Sequence, residues 1–190
     1  MQRIDLFGPV HKGLRAALCE TATLLARTDF QDPEASGAAA ASVVEVLGFL
    51  DEHAGHEDDK VLPVLQAHSP ELAAEIRSDH ARIEGLQEEV GAIAARLEIS
   101  SPVERVSLGT RLHERTWLLL AEHARHMQIE ESRATRVLHA NLTDEELLAL
   151  HGRILASIPP GRMAEWFEIL LPALAPAERA KLEAAAGMEQ

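Results

Sequence analysis

Four long stretches of the chain repeat apolar residues at three- and four-residue intervals, the mark of helices that bury one face. The first starts at Gly8-Pro9, where proline suits an opening helical turn, and runs to about Thr28 with Leu14, Leu18 and Leu25 in line. The second runs from near Ser36 to about Ala67, with Val43, Leu47, Leu50, Val61 and Val64. Ser69-Pro70 opens the third, which carries Leu72, Ile76, Ile83, Val90 and Leu97 and ends near Leu97. Ser100-Ser101-Pro102 opens the fourth, with Leu112, Leu119 and Val137, reaching about Ala140. The connection through Asp29-Phe30-Gln31-Asp32-Pro33 looks irregular and the other two look short, which favours antiparallel neighbours. The expectation is an all-α chain with an up-down four-helix bundle. The absence of tyrosine and the scarcity of Phe and Trp weigh against sheet.

The pattern changes after Asn141. Thr143-Asp144-Glu145-Glu146 reads as a capping box opening a helix to about Ser157, and Pro159-Pro160-Gly161 breaks it. A further helix carries Trp166, Phe167, Leu170 and Leu171, and Pro172 and Pro176 punctuate a last short one. The chain therefore divides into a bundle over residues 1–140 and a helical C-terminal extension over 141–190. The extension is expected to pack on the bundle or to form a homodimer contact.

Histidines interrupt the apolar stripes. His11 lies one turn before Leu14, His53 and Glu57 fill the gap between Leu50 and Val61, and His80 sits between Ile76 and Ile83. In the fourth stretch His123, His126 and Glu130 lie between Leu119 and Val137. Residues three or four apart share a helix face, so each helix sends a histidine inward and two also send a glutamate. One buried histidine is an ordinary core residue with a satisfied hydrogen bond. Several polar groups from four helices are harder to dismiss, because a buried carboxylate is rarely tolerated unless paired or bound to metal. Helix bundles build metal sites in this way.

The constellation is also doubled. A helix with a lone histidine (His11) precedes a helix with His53-x-x-x-Glu57, and His80 precedes His126-x-x-x-Glu130. A second register is open, because Glu52-His53-Ala54-Gly55-His56 resembles Glu122-His123-Ala124-Arg125-His126. The glutamate four residues on favours His53 and His126, since His123 has Met127 there and His56 has Lys60. His123 and His56 remain candidates for a ligand or a supporting role. His68, His113, His139 and His151 lie off these faces or in the extension and read as surface or packing residues.

Composition excludes several classes. With 18 Lys and Arg against 31 Asp and Glu, the formal charge is -13, which repels phosphate backbones; no nucleic acid partner is expected. The one cysteine, Cys19, makes neither an intrachain disulfide nor a thiolate cage. The N-terminal residues lack the apolar stretch of a signal peptide and no run is long enough to span a bilayer, so a cytoplasmic protein with no membrane partner is expected. No histidine has a glutamate three residues before it, as ferritin-like di-iron bundles require. His56-Glu57 is followed by Asp58-Asp59-Lys60, so a zinc-hydrolase motif is absent.

Four segments, His11-Lys12-Gly13-Leu14, His53-Ala54-Gly55-His56-Glu57, Asp79-His80-Ala81-Arg82 and His126-Met127-Gln128-Ile129-Glu130-Glu131, resemble the hemerythrin-like cation-binding family, over roughly residues 8 to 140. The resemblance implies a bundle of hemerythrin type around an oxo- or hydroxo-bridged di-iron centre. His11 and His53 would hold one iron, His80 and His126 the other, and Glu57 and Glu130 would bridge them. Manganese or zinc could substitute, since imidazole and carboxylate suit all three. Two features depart from the pattern. Oxygen-carrying members have a fifth histidine one turn after the third-helix histidine, where this chain has Glu84; a hard carboxylate at the metal argues against reversible oxygen carriage, and Glu84 reads equally as a salt-bridged surface residue at the edge of the stripe. The last carboxylate can also be read one residue later, at Glu131. The implied partner is a small diatomic or peroxide ligand at the metal. The expected function is a metal-binding protein that senses or responds to oxygen, nitric oxide, peroxide or iron. The alternatives are a di-iron enzyme acting on peroxide or nitric oxide, and a metal-free helical scaffold.

Overall fold

The computed structural model describes residues 3–185 and 187; Met1, Gln2 and the last residues of the 141–190 extension lie outside them. Every regular element among the described residues is helical. Helix α1 spans Gly8–Arg27, α2 Pro33–His56, α4 Pro70–Leu97 and α5 Pro102–Ile129. Two of these continue past a single π-helical turn. Glu57–Val61 leads from α2 into α3 (Leu62–His68), and Glu130–Ala134 leads from α5 into α6 (Thr135–Asn141). The extension forms α7 (Asp144–Ser157), α8 (Pro160–Leu170) and α9 (Pro176–Ala185). No helix among the described residues is long and apolar enough to cross a membrane.

The starts follow local chemistry. Proline occupies the first turn of α1, α2, α4 and α5. Asp32 caps α2 by accepting from the Glu34 N–H at 2.9 Å. At α7, Thr143 accepts from the Glu146 N–H at 3.2 Å while Glu146 accepts from the Thr143 N–H at 2.8 Å, the reciprocal box that the sequence announces.

Helix α1 packs against α2 and α5, and α4 packs against the same two. The apolar core comes in two parts. One contains Leu14, Leu18, Leu50, Ile83, Leu119 and Met127; the other contains Phe7, Val61, Ile76, Ala134 and Leu138. On each long helix the change from one part to the other falls within about a turn of the histidine that interrupts the stripe. The order of the two parts reverses from α1 to α2, from α2 to α4 and from α4 to α5.

The π turns correct the core assignment beyond them. Periodicity alone places Val64 and Val137 on the buried stripes. Both are only partly buried, and Leu65 and Leu138, each 1% exposed, take the core positions. A π turn inserts one extra residue and rotates everything after it around the helix axis.

The irregular α1–α2 connection is held by a buried cation. Arg105 of α5 donates to the carbonyls of Phe30 (3.2 Å), Gln31 (2.8 Å) and Ser100 (2.9 Å), tying the loop to the α4–α5 turn. The Phe30 ring lies directly on Gly109, one turn further along α5, where a Cβ would overlap it. The extension is fastened near the other end of α1. Leu170 of α8 approaches Gly13 so closely that a Cβ there would meet its side chain at 2.7 Å. Trp166 lies edge-on to Phe49 at 4.7 Å and donates to Glu52 at 3.1 Å, and Arg162 donates to the same carboxylate at 2.7 Å.

Gly109→Ala is expected to displace the Phe30 ring and lower stability by about 1–3 kcal/mol, the usual penalty for overpacking. Urea unfolding of the variant checks this; an unchanged midpoint would mean the ring has room to move.

Candidate metal centre

Six side chains from four helices converge where the two parts of the core meet: His11 from α1, His53 from α2, His80 from α4, His126 from α5, and Glu57 and Glu130 from the π turns. His11 and Glu130 are 0% and 1% exposed, so the cluster is a true interior. The imidazoles meet in pairs through their Nε2 atoms, His11 with His53 at 3.1 Å and His80 with His126 at 3.0 Å.

The carboxylates lie across both pairs. Glu57 presents Oε1 to His53 at 3.2 Å and to His11 at 3.7 Å, and Oε2 to His80 at 3.4 Å. Glu130 presents Oε2 to His126 at 3.2 Å and to His11 at 3.6 Å, and Oε1 to His80 at 3.8 Å. Two groups of ligand atoms result, each within 4.8 Å: His11, His53, Glu57 and Glu130, and His80, His126, Glu57 and Glu130. Both glutamates belong to both groups.

These residues fit a cation. Two ligands about 2.1 Å from one ion and at right angles to each other stand about 3 Å apart, the spacing of each imidazole pair. Both oxygens of Glu57 and Oε2 of Glu130 are buried without a hydrogen-bond partner. Buried acceptors are seldom left so, and a coordinated ion would satisfy all three. The cluster can hold a metal ion.

Without an ion, the charges settle among the side chains themselves. Burial alone would lower the pKa of His11, but the carboxylates of Glu131, Glu57 and Glu130 outweigh it and hold it at about 9. The same contest, with Glu130, Glu57 and Asp58 as the acids, puts His80 at about 11. His53 and His126 are driven the other way, to about 3 and about 4, by burial and by the neighbouring imidazoles. Burial tends to raise Glu57, but the histidines around it hold it well below the usual carboxylate range. Burial and the charge of Glu57 push Glu130 up.

A second set of acids orients the imidazoles from behind. The Nδ1 atom of His80 meets Asp58 at 2.8 Å, and that of His11 meets Glu131 at 3.0 Å, itself paired with Arg15. A carboxylate on the far nitrogen fixes the tautomer and aims the other nitrogen inward. Asp58 and Glu131 each directly follow a cluster glutamate, at the start of a π turn. The wider turn narrows the angle between successive side chains, so one acid faces the cluster and the next faces a histidine beside it. The support is exchanged between the halves of the doubled motif: Asp58 serves His80, and Glu131 serves His11. Asp79, fixed by Arg125 (2.6 Å) and Arg82 (3.1 Å), lies 3.8 Å from His126 Nδ1.

The remaining candidates fall outside both groups. His123 is buried beside the cluster, with Nε2 on the Gln87 carbonyl at 3.0 Å and Nδ1 unpartnered. It lines a cavity of about 400 Å³ that also touches His53, His80 and His126 and has Asp51 and the exposed Glu84 in its wall. His56 is half-buried on the other side, in an apolar cavity against α7 and α8. Glu131 supports His11 rather than joining a group. Sequence reasoning missed Asp58 and Asp79. The adjacent acids Glu57-Asp58 and Glu130-Glu131, repeated in both halves, were the available signal for Asp58; Asp79 reaches across to a histidine on another helix and leaves none.

No protein-family model matches the chain, and no curated protein matches it. The functional reading therefore rests on the cluster.

Asp58→Asn is expected to weaken divalent-metal binding by roughly 10–100-fold, the usual cost of losing an outer carboxylate, while leaving helicity intact. Competition against a chromophoric chelator measures it, with His68→Ala as a control. Equal affinities for Asp58→Asn and the unaltered chain would remove Asp58 from the site.

Proposed function

We propose that the protein is a hemerythrin-like binder of two metal ions, most fittingly iron, that senses or responds to oxygen, nitric oxide, peroxide or iron. One observation carries the proposal: Glu57 and Glu130 each belong to both groups of ligand atoms. Glu57, with Oε1 toward His11 and His53 and Oε2 toward His80, has the pose of a bridge, and Glu130 shares the role through Oε2, which faces both His11 and His126. In this reading His11 and His53 hold one ion, His80 and His126 hold the other, and manganese or zinc are the competing occupants. The reversal of core order along successive helices supports an up-down arrangement of hemerythrin type.

Bound iron would supply redox chemistry and open positions for a small ligand. The chain's own residues do the rest. Four imidazoles and two carboxylates fix the ligand set, Asp58 and Glu131 hold the tautomers of His80 and His11, and the two parts of the core exclude bulk water from either side. Glu84 is exposed and outside both groups, so no fifth nitrogen completes the second site. This favours response over reversible oxygen carriage.

A metal-free scaffold fits poorly. Leu or Met at these positions would commonly stabilise a core better than buried charge does. Turnover of peroxide or nitric oxide has one observation in its favour, the buried imidazole of His123 in the cavity wall beside the cluster, whose Nδ1 has no hydrogen-bond partner among the described residues.

Protein reconstituted anaerobically with ferrous iron and then exposed to air is expected to carry two irons per chain and near-ultraviolet ligand-to-metal absorption. Glu57→Ala and Glu130→Ala should each lose bound metal and keep their circular dichroism. Full occupancy in either variant would refute the bridging assignment. Steady-state consumption of peroxide or nitric oxide, abolished by His53→Ala, would replace the sensing reading with the enzymatic one.

A further inference from the structure

The extension does more than cover α1. Between α7, α8, α9 and the N-terminal end of the bundle lies a cavity of about 430 Å³, within the range of small-molecule sites. Its walls are mostly carbon, with Phe7, Val10, Ile154, Met163, Trp166 and Phe167 prominent. At one place the wall is His53 and Glu57, the outer surface of the metal cluster. The wall is fastened rather than loosely apposed: Arg162 and Trp166 hold α8 to Glu52 of α2, and Lys12 of α1 holds α9 by donating to its Glu178 at 2.6 Å.

The lining also specifies charge. Among the described residues it contains no lysine or arginine, so an anionic group would meet only the imidazoles of His53, His56 and His151 and no fixed positive charge. Its acids are Asp5 and Glu57. Asp5 already accepts from the Phe7 and Gly8 N–H groups at 3.1 and 2.8 Å, and Glu57 faces the imidazoles of the cluster. A cationic group would find Asp5 already engaged and Glu57 turned toward the imidazoles of the cluster. An apolar space of this size is unfavourable to leave to water, and the packing of the described residues does not close it.

We propose that this cavity binds a neutral, largely apolar organic molecule, seated between the extension and the bundle with its polar group toward His53 and Glu57. The proposal goes beyond the metal reading, because the walls are built by helix packing and do not depend on an ion. It gives the Trp166-Phe167 helix a role and places an organic ligand beside the centre.

Three probes with one ten-carbon chain test it: decan-1-ol, decanoate and decylammonium. Trp166 reports binding by fluorescence in a Trp117→Phe background, since Trp117 is exposed on α5 away from the cavity. Metal-free and metal-loaded protein are both titrated. Decan-1-ol is expected to give a saturable change, with the two charged probes at least tenfold weaker. Leu155→Phe combined with Ala185→Phe, both exposed at the rim, should weaken decan-1-ol at least tenfold with helicity unchanged. No saturable change, equal binding of all three probes, or unaltered binding in the double variant would overturn the proposal. Decan-1-ol binding to a protein that takes up no metal would sustain the cavity and defeat the metal reading; two bound metals without decan-1-ol binding would do the reverse.

Discussion

Two carboxylates, Glu57 and Glu130, sit in the interior and face the same four imidazoles, and the rest of the molecule is arranged around keeping them there. Buried acids need compensation. Here it comes from histidines on all four long helices, which is why every apolar stripe is broken at the same level and why the core is in two parts. Changing any one helix would leave charges on the other three without partners, so the cluster couples elements that apolar packing alone would couple weakly.

The π turns are the local counterpart of this constraint. Each begins at a cluster glutamate and is followed by a second acid that reaches a histidine from the opposite half of the motif. An unbroken α-helix would spread adjacent acids too far apart for both roles and would keep Val64 and Val137 on the core face. The structure instead accepts a wider turn twice and rebuilds the core beyond it with Leu65 and Leu138. The same feature at matching places in both halves is hard to attribute to packing, since the surrounding apolar side chains differ. A shared demand for two aimed carboxylates accounts for it.

Much of this was legible in the sequence, for definite reasons. Helix starts at Pro9, Pro70 and Pro102 and the box at Thr143 are set by neighbouring residues, so local rules find them; α2 starts at Pro33 under an Asp32 cap, earlier than the start near Ser36 expected from the apolar pattern. The convergence of His11, His53, His80 and His126 followed from their places on apolar stripes, and the glutamate four residues on separated His126 from His123. The π turns were not legible, because nothing in Glu57–Val61 or Glu130–Ala134 differs in helix preference from an ordinary turn. Nor was Arg105, whose three carbonyl partners come from the two chain segments it joins. The docking of α8 depends on small contacts such as Gly13 against Leu170, which acquire meaning only once the bundle exists.

The central claim is that two ions share Glu57 and Glu130, and loading with manganese tests it most directly. Electron paramagnetic resonance of protein saturated with Mn²⁺, with metal content measured on the same sample, should show two ions per chain and the signature of an exchange-coupled pair. One ion per chain at saturation, or two that give only the six-line pattern of isolated manganese, would contradict it.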